Sequence, residues 1–233
     1  MKRVTLAQLF SATTIAITLV VVTIDKYIGD AVMAIWNAPT SVPNHELEAC
    51  RATLACMKAT RKLYASSAWK GLPSLVTRFG LHEASVLVGN FGAPTRLSYT
   101  ALGDGVNLAA RLEPLCKQYG VVVLASEAIV AKASLEFVFR RIDRVAVKGK
   151  TTGIDVFELL GAKDDDIPGL PRARRYEEAF DAYLARDFPR ALAIFDEQRD
   201  DDPPSAVLAD RCRELGAAPP PPEWTGIHVA RSK

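Results

Sequence analysis

Residues 23–34, TIDKYIGDAVMA, decide how this chain is read. Two β-branched, apolar runs (residues 20–28 and 31–36) flank Gly29-Asp30. That pattern predicts a β-hairpin with a carboxylate near its tip. Lys26 precedes the turn on the same hairpin. A second stretch, residues 98–113 (SYTALGDGVNLAARLE), sets Thr100 before a turn at Gly103-Asp104. The helix predicted after that turn places Asn107 and Arg111 one turn apart on one face. Lys148, in the VKGK of residues 147–150, lies between two predicted strands. An ammonium, a hydroxyl, a carboxylate, an amide and a guanidinium are the groups that hold a nucleoside triphosphate and neutralise charge along it. Taken singly, each has a plainer reading: an ordinary Gly-Asp turn, a solvated strand lysine, a water-facing helix or a basic hairpin loop. Only the set points to chemistry.

Composition bounds the alternatives. With 233 residues, 24% charged and 49% hydrophobic, the chain reads as one globular domain with an appendage, not as a disordered segment. A formal charge of +2 is too small to argue for a nucleic-acid partner. Cys50, Cys56, Cys116 and Cys212 show no CxxC spacing and no histidine at metal-site intervals. They read as reduced, buried thiols of a cytoplasmic chain and not as zinc ligands or disulfides. A basic start, Met1-Lys2-Arg3, precedes the apolar residues 15–22 (IAITLVVV) and resembles a signal peptide. That apolar run falls well short of the ~20 residues that span a bilayer, and no small-residue cleavage site follows it. The expectation is no membrane span, with a core helix from about Leu6 passing into a strand near Val20.

Along the rest of the chain, apolar spacing predicts a helix over 43–69, a second hairpin from 76–81 and 84–88, and a loop over 89–94. It then predicts a helix over 106–119 stopped by Gly120, a strand at 121–124, a short helix at 126–134 and paired strands at 136–147 and 153–160. This alternation argues for an α+β sheet with helices on one face. Residues 1–161 form the first domain and 162–171 an acidic, Pro-containing linker. Residues 172–216 form a small helical hairpin of tetratricopeptide type, marked by Ala179, Tyr183, Ala191, Phe195 and Pro203. A single such unit cannot bury its own face and is expected to pack on the first domain. Residues 217–233 make a Pro-rich tail.

As a set, residues 23–34, 86–92, 99–113 and 145–160 resemble the catalytic domain of class III nucleotidyl cyclases, the adenylyl/guanylyl cyclase homology domain. The resemblance runs over roughly residues 6–161. Residues 176–233, with Trp224-Thr225-Gly226, are similar to extensions that follow bacterial cyclase domains. The resemblance implies a ferredoxin-like α+β domain acting in cyclic nucleotide signalling. It also implies a head-to-tail homodimer, or a heterodimer with another cyclase domain, with nucleotide sites at the interface. In that frame Lys26 and Thr100 correspond to the pair that reads adenine, Asn107 to the ribose-orienting residue, Arg111 to the transition-state arginine and Lys148 to the triphosphate lysine. Asp30 corresponds to one of two aspartates that bind a Mg²⁺ or Mn²⁺ pair. The implied reaction converts ATP to cyclic AMP and pyrophosphate.

The match also departs from the family. The strand bearing the first metal aspartate is expected to be missing, which would leave neighbouring strand edges unpaired. Phe10-Ser11-Ala12 stands too near Asp30 and carries alanine where that aspartate is required. The only acidic residues before position 31 are Asp25 and Asp30, and Asp25 lies on the strand, away from the tip. Residues 19–22 replace a Gly-containing turn, and Glu83-Ala84 stands where the family prefers Thr-Gly. One carboxylate leaves a two-metal site without most of its ligands. Three roles therefore stay open: a self-sufficient adenylyl cyclase, a silent half-site partner of a cyclase that brings both aspartates, or a non-enzymatic fragment that binds another protein through its C-terminal helices.

Overall fold

The structure is a computed structural model that describes residues 2–10, 22–72, 75–146 and 153–228. Gly29 and Asp30 close a two-residue turn between β2 (Thr23–Ile28) and β3 (Ala31–Trp36), with Ile28 opposite Ala31. Gly29 takes φ 64°, a left-handed angle that costs glycine little. Every residue of β3 is buried. Val32, Ala34 and Trp36 pack toward α1 (His45–Tyr64), whereas Met33 and Ile35 pack toward α2 (Asp104–Tyr119). A continuous apolar run of this kind marks a strand covered on both sides. Helices thus lie on both faces of the sheet, not on one as the alternation of elements had implied. α1 and α3 (Glu127–Ala133) cover one face and α2 the other.

Among the described residues, eight strands share the sheet in the order β2-β3-β1 (Lys2–Phe10)-β4 (Arg78–Ala93)-β6 (Val123–Ser126)-β8 (Gly153–Ala162)-β7 (Phe137–Ala146), with β5 (Arg96–Leu102) paired to β4 off that path. Two expectations are corrected here. Lys2–Phe10 is a strand, β1, and not the start of a helix. It runs antiparallel to both β3 and β4 (Arg78–Ala93), so the central position expected to be vacant is filled. Two strands that would otherwise present unpaired backbone impose extended geometry on the segment between them. The rest of the expected helix, residues 11–21, lies outside the described residues. The second hairpin expected over 76–88 is instead one 16-residue strand, β4. β4 pairs with β1 up to Val86 and with β5 from Leu87 onward, so the hairpin turn is Pro94-Thr95, at the very end of the predicted loop at 89–94, most of which is strand. His82-Glu83 offers no turn chemistry, and pairing carries the strand straight through it.

β6 (Val123–Ser126) adds parallel to β4, and the antiparallel pair β7 (Phe137–Ala146) and β8 (Gly153–Ala162) completes the sheet. Gly120, at φ 67°, ends α2. Beyond β8 come three helices: α4 (Leu170–Leu184), α5 (Phe188–Gln198) and α6 (Pro203–Ala217). Asp187 and Asp202 cap α5 and α6 by accepting from the backbone N–H groups of Arg190 and Ser205. These helices are not a free appendage. Tyr176, Phe180, Tyr183 and Phe195 form one core with Leu112 and Tyr119 of α2 and with Ile142 and Val156 of the sheet. The tail returns to the sheet as well. The His228 N–H donates to the Arg144 carbonyl at 2.8 Å, and the His228 carbonyl accepts from the Ala146 N–H at 2.9 Å. No helix among the described residues is long and apolar enough to cross a membrane.

Candidate functional site

The hairpin and the β4–β5 arm bring two of the predicted residues into direct contact. Lys26 Nζ donates to Thr100 Oγ1 at 3.0 Å, across 74 residues of sequence. Thr100 is buried, 6% exposed, on β5 opposite Gly89. Lys26 is more open, its side chain 44% exposed. Sequence reading missed the third member. Thr100 Oγ1 donates to Asp25 Oδ2 at 2.7 Å, and Lys26 Nζ stands 3.7 Å from the same oxygen.

A bulge makes this trio possible. Ile24 pairs with Ala34 and Lys26 with Met33, so Asp25 is the extra residue in β2. In a regular strand, neighbouring side chains point to opposite faces. At a bulge two residues oppose one, and both can be re-aimed. Asp25 and Lys26 accordingly both reach Thr100. Nothing in the local sequence announces the bulge, because the register of β2 is set by β3.

α2 begins at Asp104, directly after the short turn that follows β5, and this places Asn107 and Arg111 on exposed positions of one helix face. Two glycines fix how closely α2 approaches the sheet. A Cβ on Gly80 of β4 would lie 2.6 Å from the Ala109 carbonyl oxygen. A Cβ on Gly105 would lie 2.5 Å from that of Ala84, so no side chain fits at position 105 against this part of β4. Asp30 is exposed at the hairpin tip, and its charge reaches Glu113 of α2. Lys148 lies outside the described residues.

Among the described residues, no three His, Cys, Asp or Glu side chains gather into a metal-holding group. Asp25 is turned toward Lys26 and Thr100. The described carboxylates of one protomer therefore do not by themselves fit a two-metal centre.

Known proteins share this architecture. The fold matches the crystal structure of the adenylyl cyclase CyaB from P. aeruginosa with a TM-score of 0.63 at 23% identity, over 71% of this chain and 97% of that one. It matches the guanylyl cyclase Cya2 at 0.57 and 20% identity, over 70% and 94%. The family model of the adenylate and guanylate cyclase catalytic domain matches residues 6–161, and the chain belongs to that family. It is 42% identical over 139 residues to Adenylate cyclase 1 of Rhizobium meliloti (strain 1021), which covers 60% of this chain and 21% of that protein. It is 32% identical over 198 residues to the terminal-differentiation-specific adenylate cyclase of Dictyostelium discoideum, covering 81% of this chain and 9% of that protein. The chain thus spans about a fifth or less of the length of these curated relatives.

Proposed function

We propose that this chain supplies the adenine-reading half of an ATP site shared between two cyclase protomers, for the conversion of ATP to cyclic AMP and pyrophosphate. The observation that carries this reading is the 3.0 Å Lys26–Thr100 contact, an ammonium and a hydroxyl held together at the edge of the sheet. The relatives named as adenylate cyclases support it. In the reaction, the ribose 3′-oxygen forms a bond to the α-phosphorus. The bond from that phosphorus to its bridging oxygen breaks, pyrophosphate leaves and the hydroxyl proton departs. Asn107 orients the ribose, Arg111 neutralises charge on the reacting phosphoryl group and Lys148 grips the triphosphate. In the site that this chain completes, both metal-binding aspartates come from the partner protomer, while Asp30 belongs to this chain's opposite half-site. Exposed apolar side chains support such pairing: Tyr27 and Ile28 on the hairpin, and Leu87, Leu97 and Leu102 on the β4–β5 arm.

The test is cyclic AMP production from ATP and Mn²⁺. The purified chain is assayed alone, and then mixed with a cyclase domain that keeps both metal aspartates but has lost its own base-reading lysine and transition-state arginine. Alone, the chain is expected to stay near background. Mixing should raise product at least about 100-fold, and Arg111→Ala should remove that gain. No product on mixing overturns the proposal. Product from the chain alone that disappears in Asp30→Ala would establish a self-sufficient homodimeric cyclase in its place.

A further inference from the structure

Asp25 is 1% exposed at its side chain, and neither the metal chemistry nor the fold explains it. Its Oδ2 accepts from Thr100, while its Oδ1 is buried with no hydrogen-bond partner among the described residues. A buried carboxylate oxygen without a partner is costly. The bulge that turns Asp25 inward also sacrifices a ladder position in β2. Something other than packing retains this geometry.

The hydrogen-bond inventory shows what it does. A carboxylate only accepts, an ammonium only donates, and a hydroxyl has one hydrogen and two lone pairs. The hydrogen of Thr100 is committed to Asp25 at 2.7 Å, and one lone pair accepts from Lys26 at 3.0 Å. What remains for a ligand is one acceptor on Thr100 beside the spare donors of Lys26. Adenine presents the complement, a donor amino group at position 6 beside an acceptor nitrogen at position 1. Guanine presents the reverse, an acceptor oxygen at position 6 beside an N–H at position 1. Thr100 could greet that oxygen only by turning its hydrogen away from Asp25.

We propose that Asp25 is a specificity-determining positioning residue: by holding the Thr100 hydrogen, it locks the hydroxyl as an acceptor and makes the site reject guanine nucleotides. This rests on the adenine-site reading above and adds a residue and a mechanism to it. Asp25 touches no substrate and acts through Thr100. In Asp25→Asn the amide can donate to Thr100, which frees the hydroxyl to donate in turn.

The experiment is competition of ATP and GTP against a fluorescent ATP analogue bound to the full chain mixed with the complementary cyclase domain of the activity assay, for wild type and Asp25→Asn. The wild type is expected to prefer ATP, and Asp25→Asn to shrink the ATP:GTP ratio about tenfold, the equivalent of one hydrogen bond. An unchanged ratio in a variant that melts like wild type overturns the proposal. A second measurement needs no variant. Inosine triphosphate carries the guanine pattern at positions 1 and 6 without the 2-amino group, so the wild type must reject it as strongly as GTP. Acceptance of inosine triphosphate alongside rejection of GTP also overturns the proposal. A wild type that binds both purines equally, or neither, fails the adenine-site reading itself and takes this inference with it, an outcome distinct from an ATP-selective wild type whose Asn variant keeps its ratio.

Discussion

Glu113 sits on α2 two residues beyond Arg111 and is buried, 8% exposed. Burial is the main reason its carboxyl titrates above the ordinary glutamate range, and Asp30 adds to the rise while Arg78 and Lys117 oppose it. Because the folded-state value lies above that of the unfolded chain, the folded protein takes up this proton first as pH falls. The associated stability is fully present below the unfolded value of 4.5 and is lost as pH rises through the folded one. Glu113→Gln, permanently neutral, should raise the urea midpoint at pH 7 and flatten its pH dependence between about 4.5 and neutrality. An unchanged slope would mean the carboxylate is solvated. The cysteines allow a second measurement at this scale. Burial pushes Cys50, Cys116 and Cys212 up to about 12 and Cys56 to about 11. Since the thiolate is the nucleophile, none of the four should react with an aromatic disulfide reagent at pH 8 until urea unfolds the chain. Prompt release of one equivalent would contradict their burial.

At the scale of elements, α2 is the part that joins fold to site, and Gly80 sets its distance from the sheet. Gly80→Ala would drive a Cβ to within 2.6 Å of backbone oxygen and 2.9 Å of Leu112 Cβ. Neither neighbour is a flexible side-chain end, so the helix must move. A loss of about 1–3 kcal/mol in urea unfolding is expected, with weaker cyclic AMP production in the mixed assay because Asn107 and Arg111 move with the helix. The same elements show what could be read in advance. The β2–β3 hairpin and α2 were legible because their signals are local: Gly29-Asp30 between apolar runs, and Gly120 after an amphipathic stretch. Lys26, Thr100, Asn107 and Arg111 could be named from the family resemblance, and two of them meet in the structure. What escaped was decided by partners. β1 is extended because β3 and β4 flank it, β4 is continuous because two successive strands pair with it, and Asp25 joins Thr100 because β3 sets the bulge. The all-apolar β3 did carry a signal for cover on both faces.

Across the whole molecule, two buried charge clusters fasten the C-terminal helices to the cyclase sheet. Asp143 on β7, fully buried, accepts from the Tyr119 hydroxyl of α2 and from Arg211 of α6 at 2.7 Å. Arg140, also on β7, bonds Glu158 of β8 and reaches Asp202, the cap of α6, at 2.7 Å. Breaking one partner of such a pair strands the other charge in a medium that cannot solvate it. Arg211→Ala should therefore cost about 3–5 kcal/mol, whereas Arg213→Ala, which removes only solvent-accessible pairs with Asp196 and Asp210, should cost about 1 kcal/mol or less. Replacing both buried partners, as in Asp143→Asn with Arg211→Met, should cost clearly less than the sum of the single changes, because no charge is left behind. The shared core makes a stronger demand. Trp36 lies in the sheet, and Trp224 packs edge-on against Tyr183 of α4 at 5.2 Å. If sheet and extension are one cooperative unit, single-tryptophan variants reporting from either site must give the same urea midpoint as far-UV circular dichroism. Separate midpoints would show that the clusters at Asp143 and Arg140 join two independently folding bodies. Coincident midpoints that fall together in Arg211→Ala would show that the extension stabilises the very sheet from which α2, Lys26 and Thr100 are presented.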